Sequence, residues 1–175
     1  MENIEVKRAS VNDIEALQAI GRQTFFETFS AENTAEDMQK YLSEGFSDKK
    51  LAAELGDPNS EFYLALLDGS VIGYLKLNYG PSQTEIKDSE ALEIERIYVL
   101  KEFHGKKVGQ LLYAKAMQVA QQMNASYVWL GVWEKNPRAI NFYRKNGFVE
   151  FDKHVFQLGN DEQTDIMMKR PLKSR

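Results

Sequence analysis

The sequence predicts a single α/β domain, more strictly α+β, in which a mixed, mostly antiparallel central sheet is flanked by helices. The first observation is that 175 residues, 43% of them hydrophobic and 27% charged, suit one folded core, so we expect one domain over residues 1–175. The second is that short apolar runs bounded by turn residues alternate with helical patterns. The third is one strand–helix–strand unit in the second half of the chain.

The first third of the chain predicts one short strand and three helices. A strand is expected at Glu5–Lys7, followed by an amphipathic helix over Asp13–Phe29, where apolar residues recur at helical spacing. A second helix is expected to begin after Thr34, because Thr34 followed three residues later by Asp37 is typical of a helix N-cap. This helix is expected to end near Gly45. A shorter helix is expected over residues 48–55.

The middle of the chain predicts a β-hairpin and then a polar loop. Two apolar runs within Glu61–Leu77 meet at Asp68-Gly69, a dipeptide suited to a tight turn because glycine tolerates positive φ. Asn78–Glu90 is polar and contains Gly80-Pro81, which indicates a mobile loop.

The last 84 residues predict alternating strands and helices. A strand at Leu92–Val99, a helix at Val108–Met123 and a strand at Tyr127–Val132 form the strand–helix–strand unit. Asn136 caps a further helix with Pro137 in its first turn, and Gly147 ends it. Two final strands are expected near residues 148–158 and 165–169.

Composition excludes several classes of function. The absence of cysteine removes disulfides, thiolate metal sites and a covalent acyl-cysteine, and only two histidines are present, so we expect no bound metal. No apolar run approaches the roughly 20 residues of a membrane span, and Met1–Ser10 lacks a signal-peptide pattern. We therefore expect a cytoplasmic protein with neither a membrane nor a nucleic acid as its partner.

Charge is distributed unevenly along the chain. Residues 1–100 hold 9 Lys and Arg against 19 Asp and Glu, net −10, whereas residues 101–175 hold 13 against 7, net +6. Surface charges often only solvate a fold, and that interpretation stays open here. The sharper hypothesis is that one half faces a cationic ligand and the other an anionic one.

A loop between a predicted strand and a predicted helix, residues 101–110, has the properties of a phosphate cradle. Gly105 and Gly109 lead into a helix N-terminus, where unpaired backbone N–H groups and the helix dipole favour an anion. The loop is not a Walker A motif, because Gly109 is followed by Gln110 rather than by Lys and Ser or Thr. It also lacks the G-x-G-x-x-G of dinucleotide-binding folds.

Together, three segments resemble the GCN5-related N-acetyltransferase (GNAT) family: Glu95-Arg-Ile-Tyr-Val99, His104-Gly-Lys-Lys-Val-Gly109 and Trp133–Phe148. The last contains N-x-x-A-x-x-F-Y-x-x-x-G-F at every specified position. The family loop pattern [QR]-x-x-G-x-[GA] places His104 at its first position and Lys107 at its first glycine, so two of three positions depart from it. Across nearly the whole chain the resemblance extends to PaiA-type spermidine/spermine acetyltransferases.

This resemblance implies a GNAT fold whose sheet splays where the strands end near Val99 and Val132, so that acetyl-CoA binds in the cleft and leaves as CoA. Lys101 is a further candidate contact to the CoA phosphates. The residues implied in cofactor binding are Ile97, Tyr98, Val99, His104, Gly105, Lys106, Lys107, Val108, Gly109, Gln110, Asn136, Arg138, Tyr143 and Lys145.

The chemistry of acetyl transfer requires a base. An alkylamine of pKa near 10.4 is protonated at pH 7, and neutralising it costs about 4 to 5 kcal/mol. Period-two alternation predicts that Glu93 and Glu95 share one strand face with Ile97 and Val99. The resemblance implies Glu95 as the base, and we predict that Glu93 assists it electrostatically. The alternative that the two carboxylates only face solvent or pair with cations such as Arg96 stays open, for Glu93 above all. Tyr143 matches the family tyrosine that protonates the departing thiolate.

The acceptor is predicted to be a cationic primary amine, such as spermidine or spermine. Carboxylates beside aromatic rings suit ammonium groups and methylene segments; the candidate substrate-binding residues are Phe25, Glu27, Phe29, Glu32 and Tyr41. An amino acid, an aminoglycoside or a protein amine stays open as the acceptor, as does a non-catalytic acyl-CoA sensor. The sequence also leaves open a homodimer.

Overall fold

The structure is a computed structural model that describes residues 3–172, so both ends of the predicted 1–175 domain lie outside the described residues. The strands of the described part of the chain are β1 (Ile4–Arg8), β2 (Ser60–Leu67), β3 (Ser70–Tyr79), β4 (Ala91–Val99), β5 (Tyr127–Trp133), β6 (Val149–Leu158) and β7 (Asp161–Pro171). They form a single sheet in the order β1-β2-β3-β4-β5-β7-β6.

Strand pairing confirms the mixed, mostly antiparallel sheet. Among the described strands, only β4 and β5 pair in parallel, and this pairing runs from Ala91 opposite Tyr127 to Ile94 opposite Leu130. Beyond these residues β4 and β5 continue without pairing to each other. The splay follows from this divergence, and it leaves the facing edges of both strands free of a strand partner.

Helices cover both faces of the sheet: α1 (Ile14–Phe29), α2 (Ala35–Gly45), α3 (Asp48–Leu55), α4 (Val108–Gln122) and α5 (Pro137–Lys145). The predicted caps are confirmed, since Thr34 accepts a hydrogen bond from the Asp37 N–H and Asn136 accepts one from the Ala139 N–H. Gly147 follows α5 with φ of +93°, a conformation that favours glycine. No helix in the described part of the chain is long and apolar enough to cross a membrane.

Two hydrophobic layers hold these helices on the sheet. On one face, α4 and α5 bury Leu112, Ala116 and Tyr143 against the central strands. On the other face, α1, α2 and α3 bury Leu17, Phe29 and other side chains against β2 and β3. We call this second surface the α1 face of the sheet, and it carries most of the candidate acceptor residues.

A β-bulge in β4 corrects the predicted strand alternation. Its pairing with β3 shifts by one residue between Ile94, opposite Leu77, and Arg96, opposite Lys76, so Glu95 is the extra residue. Glu93 and Glu95 do share a face, but Ile97 packs with the α4 layer on the other side. The prediction that Glu95 shares its face with Ile97 and Val99 was wrong because the bulge inverts the period-two pattern.

The segment predicted to be a mobile loop is anchored to the sheet. β3 extends through Tyr79, so the loop is shorter than expected. Gln83 is only 1% exposed and accepts a hydrogen bond from the Trp129 indole N–H at 2.7 Å. The Thr84 N–H and hydroxyl both donate to Glu93, at 2.8 and 2.5 Å. A buried glutamine and a buried carboxylate thus fix residues that look unstructured in sequence.

Candidate active site

A cavity of about 1020 Å³ opens where β4 and β5 diverge. Its walls include the unpaired ends of both strands, the loop before α4, and α5. On the α1 face it extends between α1 and the strands β5, β6 and β7. One continuous space therefore joins the loop predicted to bind phosphates to the acidic and aromatic side chains predicted to bind an amine.

The loop before α4 has the geometry of an anion site. Lys107 is the N-cap of α4 and adopts a left-handed conformation, with φ of +67°, while Gly105 has φ of +81°. This conformation explains why the family pattern has glycine at the Lys107 position. The ring Nε2 of His104 lies 2.9 Å from the Val99 carbonyl oxygen and fixes the loop against the end of β4.

These residues fit the phosphate-bearing end of CoA. The first turn of α4 starts directly after the left-handed residue, and its N–H groups have no intrahelical partner. A Cβ at Gly105 would meet nothing within 4 Å, so the backbone is open to a close ligand. The residues of the predicted cofactor set that line the cavity are Ile97, Tyr98, Val99, His104, Gly105, Lys107, Val108, Gly109, Gln110, Asn136, Arg138 and Tyr143.

Two residues of the predicted cofactor set do not line the cavity. Lys106 and Lys145 lie outside the cavity lining, and the Lys106 ammonium stands 5.7 Å from the centre of the Phe103 ring. Lys101, by contrast, does line the cavity. Of the lysines and arginines considered for the CoA phosphates, Lys101, Lys107 and Arg138 therefore line the cavity.

Tyr143 stands on α5 in the α4 layer and lines the cavity. Its side chain is only 6% exposed and packs edge-on against Phe142 and Phe148, with ring centres 5.5 and 5.6 Å away. Burial is the main reason that the pKa of the Tyr143 phenol lies above its ordinary value. A phenol that stays protonated can serve as a proton donor toward the cleft.

Glu95 belongs to a buried ion cluster. Its carboxylate lies 2.7 Å from the Lys76 ammonium and 3.4 Å from the Arg96 guanidinium, and it also accepts a hydrogen bond from the Asn78 amide at 2.8 Å. Burial alone would raise its pKa, but Arg96 and Lys76 outweigh burial and lower the pKa of Glu95 to about 2. The carboxylate thus remains ionised and engaged.

Glu93 lies beside this cluster and is more deeply buried, at 3% exposed. It accepts hydrogen bonds from the Asn78 amide and from both the N–H and the hydroxyl of Thr84. Burial raises its pKa, with the Glu95 charge adding to that direction and the hydrogen bonds opposing it. Its contacts make Glu93 an anchor of the 80–90 loop.

The predicted acceptor residues are brought together except for one. Phe25 stacks on Tyr41 and on Phe29, with ring centres 4.2 and 4.4 Å apart. Glu27 lines the same cavity and accepts a hydrogen bond from the Lys101 N–H at 2.9 Å. Glu32 lies outside the lining, where its exposed carboxylate is 3.5 Å from the Lys135 ammonium.

Several cavity residues on β5, β6 and β7 escaped the sequence analysis. Trp133, Asp165 and His154 are opposite one another across the three strands and so share the α1 face. Burial raises the pKa of the Asp165 carboxyl to about 6, with His154 opposing and Glu85 reinforcing that direction. The sequence shows an Asp at a strand position, but strand register, which sets its neighbours, is not readable from one chain.

Comparison with known proteins supplies independent information. Residues 22–148 match the model of the acetyltransferase (GNAT) family. The chain is 41% identical over 172 residues to an uncharacterized N-acetyltransferase in the pepI 3' region of Lactobacillus delbrueckii subsp. lactis, covering 98% of this chain and 99% of the relative.

Two further matches come from Thermoplasma acidophilum. Its spermidine N(1)-acetyltransferase is 26% identical over 176 residues, covering 98% of this chain and 99% of that protein. The crystal structure of a PaiA N-acetyltransferase in complex with coenzyme A superposes with a TM-score of 0.80 at 24% identity, over 97% of this chain and 99% of the other. The structural match shows that the two folds are the same.

Proposed function

Since the chain belongs to the acetyltransferase (GNAT) family and is an acetyl-CoA-dependent N-acetyltransferase, we propose that its acceptor is a primary amine of a flexible polycation such as spermidine. The observation that carries this proposal is the acidic and aromatic wall on the α1 face of the cavity. Glu85 and Asp165 line it together with the rings of Phe29 and Trp133.

Such a wall matches the chemistry of a polyamine. Ammonium groups are stabilised by carboxylates and by the faces of aromatic rings, and the methylene segments between them are stabilised by apolar contact. Phe29 packs on Trp133 and on Phe156, with ring centres 4.5 and 6.3 Å apart, and thus provides a continuous apolar floor. The spermidine acetyltransferase of Thermoplasma acidophilum is a relative at 26% identity, which also supports this acceptor class.

On the other side of the cleft, the chain's own groups are suited to holding acetyl-CoA, which supplies an acetyl group activated as a thioester. The N-terminus of α4 would bind the phosphates, helped by Lys107 and Arg138. The main chain of Ile97–Val99 has no strand partner on the cleft side and would bind the pantetheine arm as a further strand does. Tyr143 would give a proton to the departing sulfur.

Transfer is proposed to be direct, with both substrates bound together. The sequence has no cysteine that could carry the acetyl group. Initial rates measured while both substrates are varied should therefore give intersecting double-reciprocal lines. Parallel lines would indicate a ping-pong mechanism with a covalent enzyme intermediate and would refute direct transfer.

The acceptor is tested by thiol release from acetyl-CoA with a panel of amines. We expect kcat/KM for spermidine or spermine to exceed that for butylamine, which has one ammonium group, by about tenfold. Spermidine has two further ammonium groups, and two ion pairs of about 0.7 kcal/mol each give about 1.4 kcal/mol. The panel also holds an amino acid and an aminoglycoside. Preference for either of these, or equal rates with butylamine, would overturn the polyamine proposal.

Removing one carboxylate of the wall tests whether the wall itself binds the polyamine or whether the overall negative charge of the protein attracts it. Glu85→Gln removes a carboxylate of the wall and should lower kcat/KM for spermidine about fivefold, while butylamine is affected less. Glu32→Gln is the matched control, because Glu32 is exposed and lies outside the cavity lining. If both variants behave alike, the wall does not bind the polycation.

A further inference from the structure

We propose that Asp165 is the general base of the reaction, accepting a proton from the acceptor amine held between β7 and the splayed ends of β4 and β5. The inference rests on the proposed amine acetylation but not on the identity of the amine. It differs from the sequence-based prediction, in which Glu95 has this role.

The position of Asp165 is set by strand register and by a glycine. Gly131 is the first residue of β5 beyond the last β4–β5 pair, so it marks the point of divergence. A Cβ on Gly131 would lie 3.2 Å from Oδ2 of Asp165, which means that the carboxylate leans over the β5 backbone where a side chain would otherwise stand. The carboxylate thus lines the cavity beside the point where β4 and β5 diverge.

The other carboxylates around the cavity are already engaged. Glu95 pairs with two buried cations, and Glu93 accepts three hydrogen bonds. Glu27 accepts a hydrogen bond from the Lys101 N–H, and the Glu85 carboxylate contacts Nδ1 of the His154 ring. Among the described residues, none donates a hydrogen bond to the side chain of Asp165. An unsatisfied, part-buried carboxylate is the group that an incoming ammonium would bind most strongly.

Charged and titratable groups face Asp165 from four elements. His154 lies opposite it on β6, Glu85 approaches from the 80–90 loop, and Tyr98 and Tyr41 approach from β4 and α2. Burial dominates and raises the pKa of Asp165 to about 6, whereas the pKa of Glu95 is about 2. Asp165 is therefore the better proton acceptor of the two carboxylates. A base works best with a pKa near the working pH.

In the proposed reaction, one proton leaves the amine before the acetyl group is transferred and a second leaves it afterwards. The ammonium of the acceptor gives one proton to Asp165, and the freed nitrogen lone pair forms the new N–C bond to the acetyl carbon. The C–S bond breaks with its electron pair going to sulfur. Tyr143 gives its proton to sulfur and recovers one from the acylated nitrogen, which thereby becomes the neutral amide. Asp165 returns its proton to solvent, so the products are the amide, the thiol and one proton.

The test is the pH dependence of kcat/KM for whichever amine the wild-type enzyme acetylates, from pH 5 to 9. Wild type should show an acidic limb near pH 6 and then a level region, because ionised Asp165 deprotonates the bound ammonium. In Asp165→Asn only free neutral amine reacts. The rate at pH 7 should fall by about 10² to 10⁴ and then rise about tenfold per pH unit.

Glu162→Gln is the matched control, since Glu162 is an exposed carboxylate on the same strand and outside the cavity lining. It should keep the wild-type profile. The acetyl-CoA affinity of Asp165→Asn, measured by calorimetry, should stay within about threefold of wild type. If Asp165→Asn keeps the acidic limb and a rate within about threefold of wild type, the proposal is overturned.

The wild-type protein provides a second measurement that does not depend on a variant folding. With ¹³C-labelled aspartate, one carboxyl resonance should titrate near pH 6 and shift when the accepted amine is added. Absence of such a resonance would also refute the proposal. Failure of the polyamine proposal has a different signature, namely preference for another amine with the same pH profile.

Discussion

Replacing Glu95 by Gln tests whether this carboxylate serves structure or proton transfer. The variant keeps the shape of the side chain but removes its charge, leaving the Lys76 ammonium and the Arg96 guanidinium with Glu54, which lies 3.0 and 3.4 Å from them. Lys76 and Arg96 side chains are only 8% and 13% exposed. Two buried cations would thus share one carboxylate, a costly arrangement.

The pKa of Glu95 sets the size of the stability loss expected for Glu95→Gln. The neighbouring Arg96 and Lys76 lower the pKa of Glu95 from an ordinary 4.5 to about 2 in the folded protein. At 1.36 kcal/mol per unit, the ionised form contributes about 3 kcal/mol to folding. Because the folded-state pKa is the lower one, this contribution is complete above pH 4.5 and is lost as the pH falls toward 2. Glu95→Gln should therefore destabilise by about 3 kcal/mol at pH 7, and less at acidic pH.

Urea unfolding of wild type and variant between pH 7 and pH 3 measures this difference. Glu150→Gln, an exposed carboxylate on β6, is the control and should change the free energy of unfolding by less than about 0.5 kcal/mol. A loss below about 1 kcal/mol for Glu95→Gln, or a loss that does not shrink toward pH 3, would refute the ion-cluster argument. If the folded variant also loses the acidic limb of its rate profile, Glu95 rather than Asp165 is the base.

Variants at other residues of the cleft test the proposed roles of its side chains. Tyr143→Phe should lower kcat at least about tenfold by thiol release while leaving acetyl-CoA affinity within about threefold; an unchanged kcat would rule out the proton-donor role. Lys107→Gly should raise the free energy of unfolding by about 1 kcal/mol, because Lys107 has φ of +67°, and it should also raise KM for acetyl-CoA; a lower melting temperature would contradict this. The charges facing Asp165 should move its pKa in opposite directions, so His154→Gln shifts the acidic limb to higher pH and Glu85→Gln shifts it to lower pH; shifts of the same sign would contradict the assignment.

Local sequence signals determined the elements of the fold. Helix caps such as Thr34 and Asn136 were readable because a capping side chain bonds to an N–H only a few residues away. The Asn136–Phe148 motif and the glycine-containing loop before α4 were likewise contiguous, and they indicated the family and its cofactor. Such features are encoded within about a dozen residues and need no knowledge of what packs against them.

Tertiary structure decided the acceptor side of the cleft. The bulge at Glu95 inverted the expected alternation because strand pairing, rather than local propensity, fixes where an extra residue is accommodated. Lys76, which lowers the pKa of Glu95, lies 19 residues earlier in the chain, on the neighbouring strand β3. Strand register places Asp165 opposite Trp133 and His154. The sequence by itself thus determined what kind of reaction this protein performs. Which carboxylate is engaged and which is free depended on long-range contacts, because ionisation responds to burial and to neighbours that are close only in the folded chain.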